Sequence, residues 1–386
     1  MKCRKLGLIW VAALFFLVAC HEHDIRKETP LSRQTMIVFM PWSSNMKPFF
    51  DVNIADLEKA IEEQGLVDDR LFVCIATTPT SCSVMELSVK NGIAVRDTLE
   101  VISNPDFTQS ADIANLLSSV VEEAPAHHYS LVVGGHGMAW LPVSSDAQRR
   151  AAPQYFEYPS IPVTRWFGGV TPNYQIEIST LAEGISSTGL HMDYILFDDC
   201  FMSNVEAAYE LSYVTDYIIG CPTEIMAYGF PYQLCARYLF GQVDYQQLCQ
   251  SFYDFYMDYS IPCGTVAVID CRQLPALADI VRAMNTTYWK PVQMPEPIQR
   301  MDGYNPTLFY DLCDVYDHLC PDSALLAEFH EQLSRAVPFK ACTPSFYSSI
   351  AGFIKIQSFS GITTSETSTN PLATTLSSTA WYRVTH

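Results

Sequence analysis

A cysteine and a histidine each follow an apolar, strand-like run in this 386-residue sequence. His136 comes directly after "YSLVVGG", and Cys200 comes directly after "YILFDD". Because parallel strands gather functional groups at their carboxyl ends, neighbouring strands would bring these two side chains together. A histidine near a cysteine favours the nucleophilic thiolate and can later protonate a leaving amine. The pair predicts covalent chemistry at Cys200.

Backbone amides near the pair could stabilise a negatively charged oxygen. Gly137 permits close approach of the backbone, so its N–H is one candidate donor, and the N–H of Cys200, just before a predicted helix, is the second. Taken singly, a cysteine or a histidine at a strand end is usually structural. Taken together, the two residues favour a Cys-His hydrolase about as strongly as they favour a purely structural pair.

The elements that must position these residues alternate along the chain. Short apolar runs rich in β-branched residues are typical of buried strands, and the runs between them place apolar residues three and four apart, as surface helices do. The alternation predicts an α/β fold with a mostly parallel sheet covered on both faces. Asn91-Gly92, between two alternating runs, predicts one hairpin.

The alternation becomes less regular after Phe230, and the tail is rich in Thr and Ser. We expect a main domain over residues 35–240 and a smaller α+β region over residues 241–386 packed on it.

The N-terminus is typical of an exported protein. A basic start, an apolar run and small residues predict a signal peptide over residues 1–19. "LVAC", which ends at Cys20, resembles the bacterial lipobox, in which the cysteine receives lipid; an ordinary cleaved signal peptide is the alternative. Residues 20–34 are polar and would form a tether. We expect a lipid-anchored protein of the bacterial cell envelope, at the outer membrane or the cell surface.

Composition excludes several classes of function. The formal net charge of −19 disfavours nucleic acid and anionic lipid as partners. The thirteen cysteines form no CxxC pair and the nine histidines form no HExxH motif, so the sequence predicts neither a metal site nor a metallohydrolase. We expect a monomer without a cofactor.

Two sequence blocks resemble a known family. "GGHGMAW" at 134–140 and "FDDCFMSNVEAAYEL" from residue 197 are similar to the histidine and cysteine blocks of clostripain-type cysteine peptidases (family C11), and "TMIVFMPWSSNM" is similar to their first strand and Asn-containing loop. The resemblance covers residues 35 to about 232. It implies a caspase-like three-layer α/β/α sandwich, with Cys200 as nucleophile and His136 as its partner.

The resemblance also implies the substrate. Asp198 matches the family's carboxylate at the bottom of the S1 pocket, which selects Arg or Lys at P1; a turn or helix-capping aspartate is the alternative. Asp199 departs from the family, which usually has a small or apolar residue there, and could raise the pKa of Cys200. Met138-Ala139 is a second departure, because the family more usually has small residues before the position of Trp140. The calcium dependence of some members does not transfer, because the Asp-rich first loop is replaced by "PWSSNMKPFFD".

A long proline-containing loop separates the two blocks. Residues 141–173 lack periodicity and contain Arg149, Arg150 and Arg165. Clostripain-like enzymes are commonly activated by cutting themselves in this region, so we expect self-cleavage after Arg150, with both products held in one sheet. An exposed basic loop without processing is the alternative.

Two other interpretations remain open. Another branch of the caspase clan is disfavoured because the Gln-Ala-Cys signature is absent. A catalytically idle surface lipoprotein that binds protein or glycan would share the fold without the chemistry.

The lipobox leads to a testable prediction. Cells fed labelled palmitate should label the wild-type protein, and Cys20→Ser should abolish the labelling because the acceptor thiol is lost. Cys3→Ser is the matched control, since Cys3 lies in the segment that is removed. Unlabelled wild-type protein in the medium would contradict the lipid anchor.

Overall fold

The computed structural model describes residues 31–143, 167–289 and 298–386. Nine strands form one sheet in the order β10-β8-β7-β6-β5-β1-β2-β3-β4. These strands are β1 (Ser32–Met40), β2 (Asp69–Thr78), β3 (Ser81–Lys90), β4 (Ile93–Ser103), β5 (Ala126–Gly134), β6 (Met192–Asp198), β7 (Thr215–Gly220), β8 (Thr265–Asp270) and β10 (Phe339–Cys342). Two small sheets pair β11 (Ser345–Ser348) with β12 (Gly352–Lys355) and β13 (Thr363–Thr364) with β9 (Tyr310–Asp311).

The centre of the large sheet is parallel. β7, β6, β5, β1 and β2 run in the same direction, and the antiparallel strands lie at the two edges. β6 is buried at six of its seven positions, as expected of a strand covered on both faces. The predicted α/β fold with a mostly parallel sheet is confirmed.

The helices form two groups. They are α1 (Lys47–Gln64), α2 (Ser110–Glu123), α3 (Ile178–Ser187), α4 (Val205–Leu211), α5 (Tyr232–Cys235), α6 (Tyr245–Met257), α7 (Leu274–Tyr288), α8 (Leu312–Leu319), α9 (Ser323–Ala336) and α10 (Ala380–Thr385). Helix α1 packs with α5, whereas α2 packs with α3 and α3 with α4. Along the order of strands in the sheet, the step from β1 to β2 runs one way, and the steps from β5 to β6 and from β6 to β7 run the other way. Because such crossovers are right-handed, α1 lies on one face of the sheet, and α3 and α4 lie on the opposite face.

The predicted hairpin is present. β3 and β4 are antiparallel neighbours, and Lys90 pairs with Ile93 across the turn. Asn91 and Gly92 have φ values of 56° and 78°, the left-handed conformation that this two-residue turn requires.

The C-terminal region extends the main sheet. β8 pairs with β7, and β10 pairs with β8, so residues on both sides of position 240 share one sheet. The division of the chain at 240 stays a prediction. Within residues 31–143, 167–289 and 298–386, no helix combines the length and hydropathy needed to cross a membrane.

Candidate active site

The ends of β5 and β6 bring the two predicted catalytic residues to one place. Gly134 of β5 pairs with Asp198 of β6, so His136 and Cys200 both follow directly from neighbouring strand ends. A β-carbon at Gly137 would lie 2.4 Å from the carbonyl oxygen of Cys200 and 3.1 Å from its nitrogen. The histidine loop therefore touches the backbone of Cys200, and only glycine fits at position 137.

His136 is held from two sides. Its Nε2 lies 3.0 Å from Oδ1 of Asn45, in the loop after β1, and its backbone N–H donates to the carbonyl of Gly168 at 3.2 Å. The hydroxyl of Ser43 donates to the same Asn45 oxygen at 3.2 Å. Because an amide oxygen only accepts, this contact places the ring proton on Nε2 and makes Nδ1 the basic nitrogen. Asn45 thereby fixes both the tautomer and the orientation of the ring.

Cys200 is covered in this form of the protein. Its side chain is 1% exposed, and its Sγ accepts the N–H of Ile225 at 3.4 Å. Burial, and after it the carboxylate of Glu224, raises the pKa of the Cys200 thiol well above its usual range. Asp199 acts in the same direction, as the sequence suggested, but its effect is smaller than those of burial and Glu224. The thiol is therefore neutral near pH 7 while the site is covered.

A sharp turn connects Cys200 to its helix. Phe201 adopts a φ of 61°, which is unusual for a bulky residue, and its N–H donates to the carbonyl of Thr223 at 3.0 Å. The side chain of Asn204 then caps α4 by accepting from the N–H of Ala207 at 3.0 Å. The segment 221–225 thus runs along the turn and contacts Cys200 through the N–H of Ile225.

Asp198 is fully buried at the end of β6. Its Oδ1 accepts the N–H of Phe230 at 2.9 Å, and its Oδ2 accepts the hydroxyl of Tyr232 at 3.0 Å. The helix cap after Cys200 is supplied by Asn204 and not by Asp198. Both carboxylate oxygens are thus held by the first residue of α5 and by the residue two positions before it.

The histidine loop has its own anchor. Ala139 takes a φ of 51°, and the indole N–H of Trp140 donates to Ser365 at 3.0 Å. The side chain of Met138 accepts the hydroxyl of Tyr304 at 3.5 Å. Met138 and Ala139, which depart from the family pattern, are therefore accommodated in two ways. Ala139 adopts a left-handed backbone conformation, and the loop contacts the C-terminal region through Tyr304 and Ser365.

Several residues of the site were missed by the sequence analysis. Glu224 accepts the N–H of Ser349 at 2.8 Å and its hydroxyl at 2.6 Å. Phe309 stacks on Phe201, with ring centroids 4.9 Å apart. Asp302 accepts the N–H of Tyr304 at 2.7 Å and thereby shapes the loop that meets Met138. The segment "TLFYDLCDVYDHL", which contains Phe309, has a weak similarity to the clostripain-type peptidases, and this is the sequence signal that could have indicated Phe309.

Two predicted site residues cannot be placed. Arg150 and Cys20 lie outside the described residues, as do the signal peptide and most of the tether. Among the described residues, the group of three side chains suited to a metal ion lies on α8 and α9, and none of its members belongs to the site around Cys200.

Solved structures of known proteins show the same architecture. A secreted C11 cysteine protease from Bacteroides thetaiotaomicron, "iotapain", is 46% identical, with 92% of this chain and 100% of that chain covered and a TM-score of 0.86. A clostripain from the same species, solved with the peptide inhibitor BTN-VLTK-AOMK, is 52% identical over 57% of this chain and 99% of that chain, with a TM-score of 0.56.

A more distant C11 protease, from Parabacteroides distasonis, is 24% identical over 93% of this chain and 99% of that chain. Its TM-score of 0.77 shows a shared fold. No curated protein sequence matches the chain. The model of the clostripain family matches residues 38–323, which is most of the sequence. Together with the relatives above, this match shows that the chain is a cysteine peptidase and belongs to the clostripain family.

Proposed function

We propose that the protein is an endopeptidase that cleaves after Arg or Lys, with Cys200 as nucleophile and His136 as its partner. The observation that carries the proposal is the contact between the two strand ends at Gly137, where a β-carbon would lie 2.4 Å from the Cys200 carbonyl oxygen. A nucleophile and its acid-base partner must be held in mutual reach, and this contact leaves little freedom between their loops.

The reaction follows from the chemistry of these groups. The Cys200 thiolate attacks the carbonyl carbon of the scissile bond, and the N–H groups of Gly137 and Cys200 donate to the oxyanion that forms. His136 takes the proton of the Cys200 thiol when the thiolate forms and then delivers it to the amine, which leaves with the electrons of the C–N bond. Water then hydrolyses the thioester and restores the thiol. Asn45 assists by keeping the proton on Nε2 and the imidazole in one orientation.

The basic P1 preference rests on Asp198. A buried carboxylate favours a guanidinium or ammonium group in its pocket and leaves an unpaired charge when the P1 side chain is neutral. The 52% identical clostripain was solved with an inhibitor whose peptide part, VLTK, ends in lysine. This chain carries the aspartate two residues before the cysteine, as the clostripain resemblance requires.

The covered thiol supports a latent precursor. Cys200 is 1% exposed and its sulfur accepts the N–H of Ile225, so the surroundings of the thiol must rearrange before a substrate can reach it. Self-cleavage after Arg150 would release the chain between His136 and Cys200. The two products would stay together because β5, before the cut, pairs directly with β6, after it.

The protein is further proposed to act at the cell envelope on protein or peptide substrates, as a monomer. One 46% identical relative is described as secreted. A signal peptide over residues 1–19, lipid on Cys20 and a tether would hold the peptidase domain, residues 35–240, and the C-terminal region, residues 241–386, at the membrane surface. The tether is shorter than the predicted residues 20–34, because β1 begins at Ser32 and Gln34 is buried.

The first prediction concerns the catalytic pair. Cys200→Ala and His136→Ala should each lower peptide hydrolysis by about three orders of magnitude or more, because they remove the nucleophile or its partner. Turnover of a fluorogenic lysine peptide is the measurement. Cys342→Ala and His191→Ala, which lie outside the site, are the matched controls. Near wild-type turnover in Cys200→Ala would show that another residue is the nucleophile.

The second prediction concerns specificity. Asp198→Asn keeps the volume of the side chain but removes its charge, and should lower kcat/KM for arginine and lysine peptides by roughly 2–5 kcal/mol of transition-state stabilisation. That is about 30-fold to several thousand-fold in rate. Cleavage of peptides with a neutral P1 residue should fall much less. A wild-type preference for Asp or Asn at P1 would contradict the assignment.

The third prediction concerns processing. Purified wild-type protein should cut itself and expose a new N-terminus at Ala151, whereas Cys200→Ala should stay intact. Arg150→Gln should delay or displace the cut, and Arg149→Gln, the neighbouring control, should leave it at Ala151. N-terminal sequencing of the products is the measurement. Full activity of an intact single chain would rule out the need for processing.

A further inference from the structure

Three metal-ligating side chains meet on the surface formed by α8 and α9. Cys313 and Asp317 are one turn apart on α8, and His330 faces them from α9. The Nε2 of His330 lies 2.6 Å from Oδ1 of Asp317, and the thiol of Cys313 lies 3.7 Å from Oδ2 of Asp317. One ligand atom from each of the three residues lies within 4.8 Å of the other two.

We propose that Cys313, Asp317 and His330 bind a zinc ion that clamps α8 to α9. The proposal does not depend on the peptidase activity or on Cys200.

The spacing of the ligand atoms fits zinc. Zinc bonds are about 2.3 Å to sulfur and about 2.0–2.2 Å to nitrogen and oxygen, so ligand atoms on one tetrahedral ion lie roughly 3.3–3.6 Å apart. The Cys313–Asp317 separation of 3.7 Å is already close to this value. His330 contacts the other carboxylate oxygen of Asp317, Oδ1, at 2.6 Å, whereas Cys313 contacts Oδ2. The His330–Asp317 contact would have to open by about 1 Å, and the carboxylate to turn, for one oxygen of Asp317 to share a single ion with both partners.

The chemical types of the ligands also favour zinc. Thiolate, imidazole and carboxylate together suit a borderline cation, whereas calcium and magnesium prefer sites made entirely of oxygen. Three protein ligands leave the fourth position to water. Two further charges lie near the thiol, the negative charge of Asp311 and the positive charge of Lys340.

The ion can enter this site from solvent. The side chains of His330 and Asp317 are 47% and 42% exposed. Among the eleven cysteines within the described residues, nine are buried, and only Cys313 and Cys342 are partly exposed. Cys313 is therefore one of the few thiols that an ion could reach without local unfolding.

The site was not predicted from the sequence, which lacks the CxxC and HExxH spacings of familiar zinc motifs. Its ligands come from two helices, joined by a short turn at Cys320-Pro321-Asp322, and only their packing brings His330 to Asp317.

The test uses purified protein without a polyhistidine tag, in the Cys200→Ala background, so that the active-site thiol cannot bind the ion. Zinc affinity is measured by competition with a chromophoric chelator. Cobalt is then substituted, because a cobalt-thiolate bond gives a charge-transfer band in the near ultraviolet. We expect one tightly bound zinc per chain, the cobalt-thiolate band, and a rise in melting temperature on adding zinc.

Variants locate the ion. Cys313→Ser, Asp317→Asn and His330→Ala should each weaken zinc binding by at least about tenfold, the lower range for perturbing a metal site. Cys313→Ser should also abolish the thiolate band. His318→Ala, on the same helix, and Cys342→Ser, the other partly exposed thiol, should leave both measurements unchanged. The ligand side chains are surface residues, so the variants should fold, and circular dichroism checks this.

Two results would overturn the proposal. One is the absence of stoichiometric zinc binding in the Cys200→Ala protein. The other is affinity and a cobalt spectrum that are unchanged in the Cys313→Ser and His330→Ala variants.

Discussion

The contact between the ends of β5 and β6 is the constraint on which the site depends. Gly134 pairs with Asp198, and two residues beyond each of these positions stand His136 and Cys200. Because the backbone of Cys200 presses against Gly137, neither loop can shift without disturbing the other. A β-carbon at position 137 would force the two strand ends apart, and with them His136 and Cys200. The central parallel sheet thus acts as the rigid frame on which two loops are positioned.

Buried carboxylates connect this frame to the C-terminal region. Glu206, on the helix that follows Cys200, accepts the hydroxyl of Thr364 at 2.7 Å and the N–H of Ser365 at 2.9 Å. Burial raises the pKa of Glu206 to about 7, whereas these hydrogen bonds oppose the rise. Glu366 accepts the indole N–H of Trp381 at 2.8 Å and a bond from Tyr316. Since a buried carboxylate is costly unless its hydrogen bonds are satisfied, the C-terminal tail is part of the structure that holds α4, the helix after Cys200.

The burial of the Cys200 thiol conflicts with the formation of a thiolate at the same position. Burial keeps the thiol of Cys200 neutral and out of contact with solvent. The same burial must be relieved before a thiolate can form. The segment 221–225 is joined to the site by two hydrogen bonds, from the N–H of Phe201 to the carbonyl of Thr223 and from the N–H of Ile225 to the Cys200 sulfur. Neither is a bond between strands of the sheet. A latent and an active form are therefore compatible with one sheet.

The sequence by itself determined the strands, the hairpin at Asn91-Gly92 and the neighbourhood of His136 and Cys200, because these follow from local periodicity, turn chemistry and the rule that parallel strands end at one edge. Only the tertiary structure decided which distant groups complete the site. Asn45 reaches His136 from the loop after β1, and Ser365 reaches Trp140 from the C-terminal tail. The entry of β8 and β10 into the main sheet was likewise invisible in the sequence. Such partners are fixed by the packing of segments that are distant in the sequence. That packing cannot be predicted from residue types and their spacing along the chain.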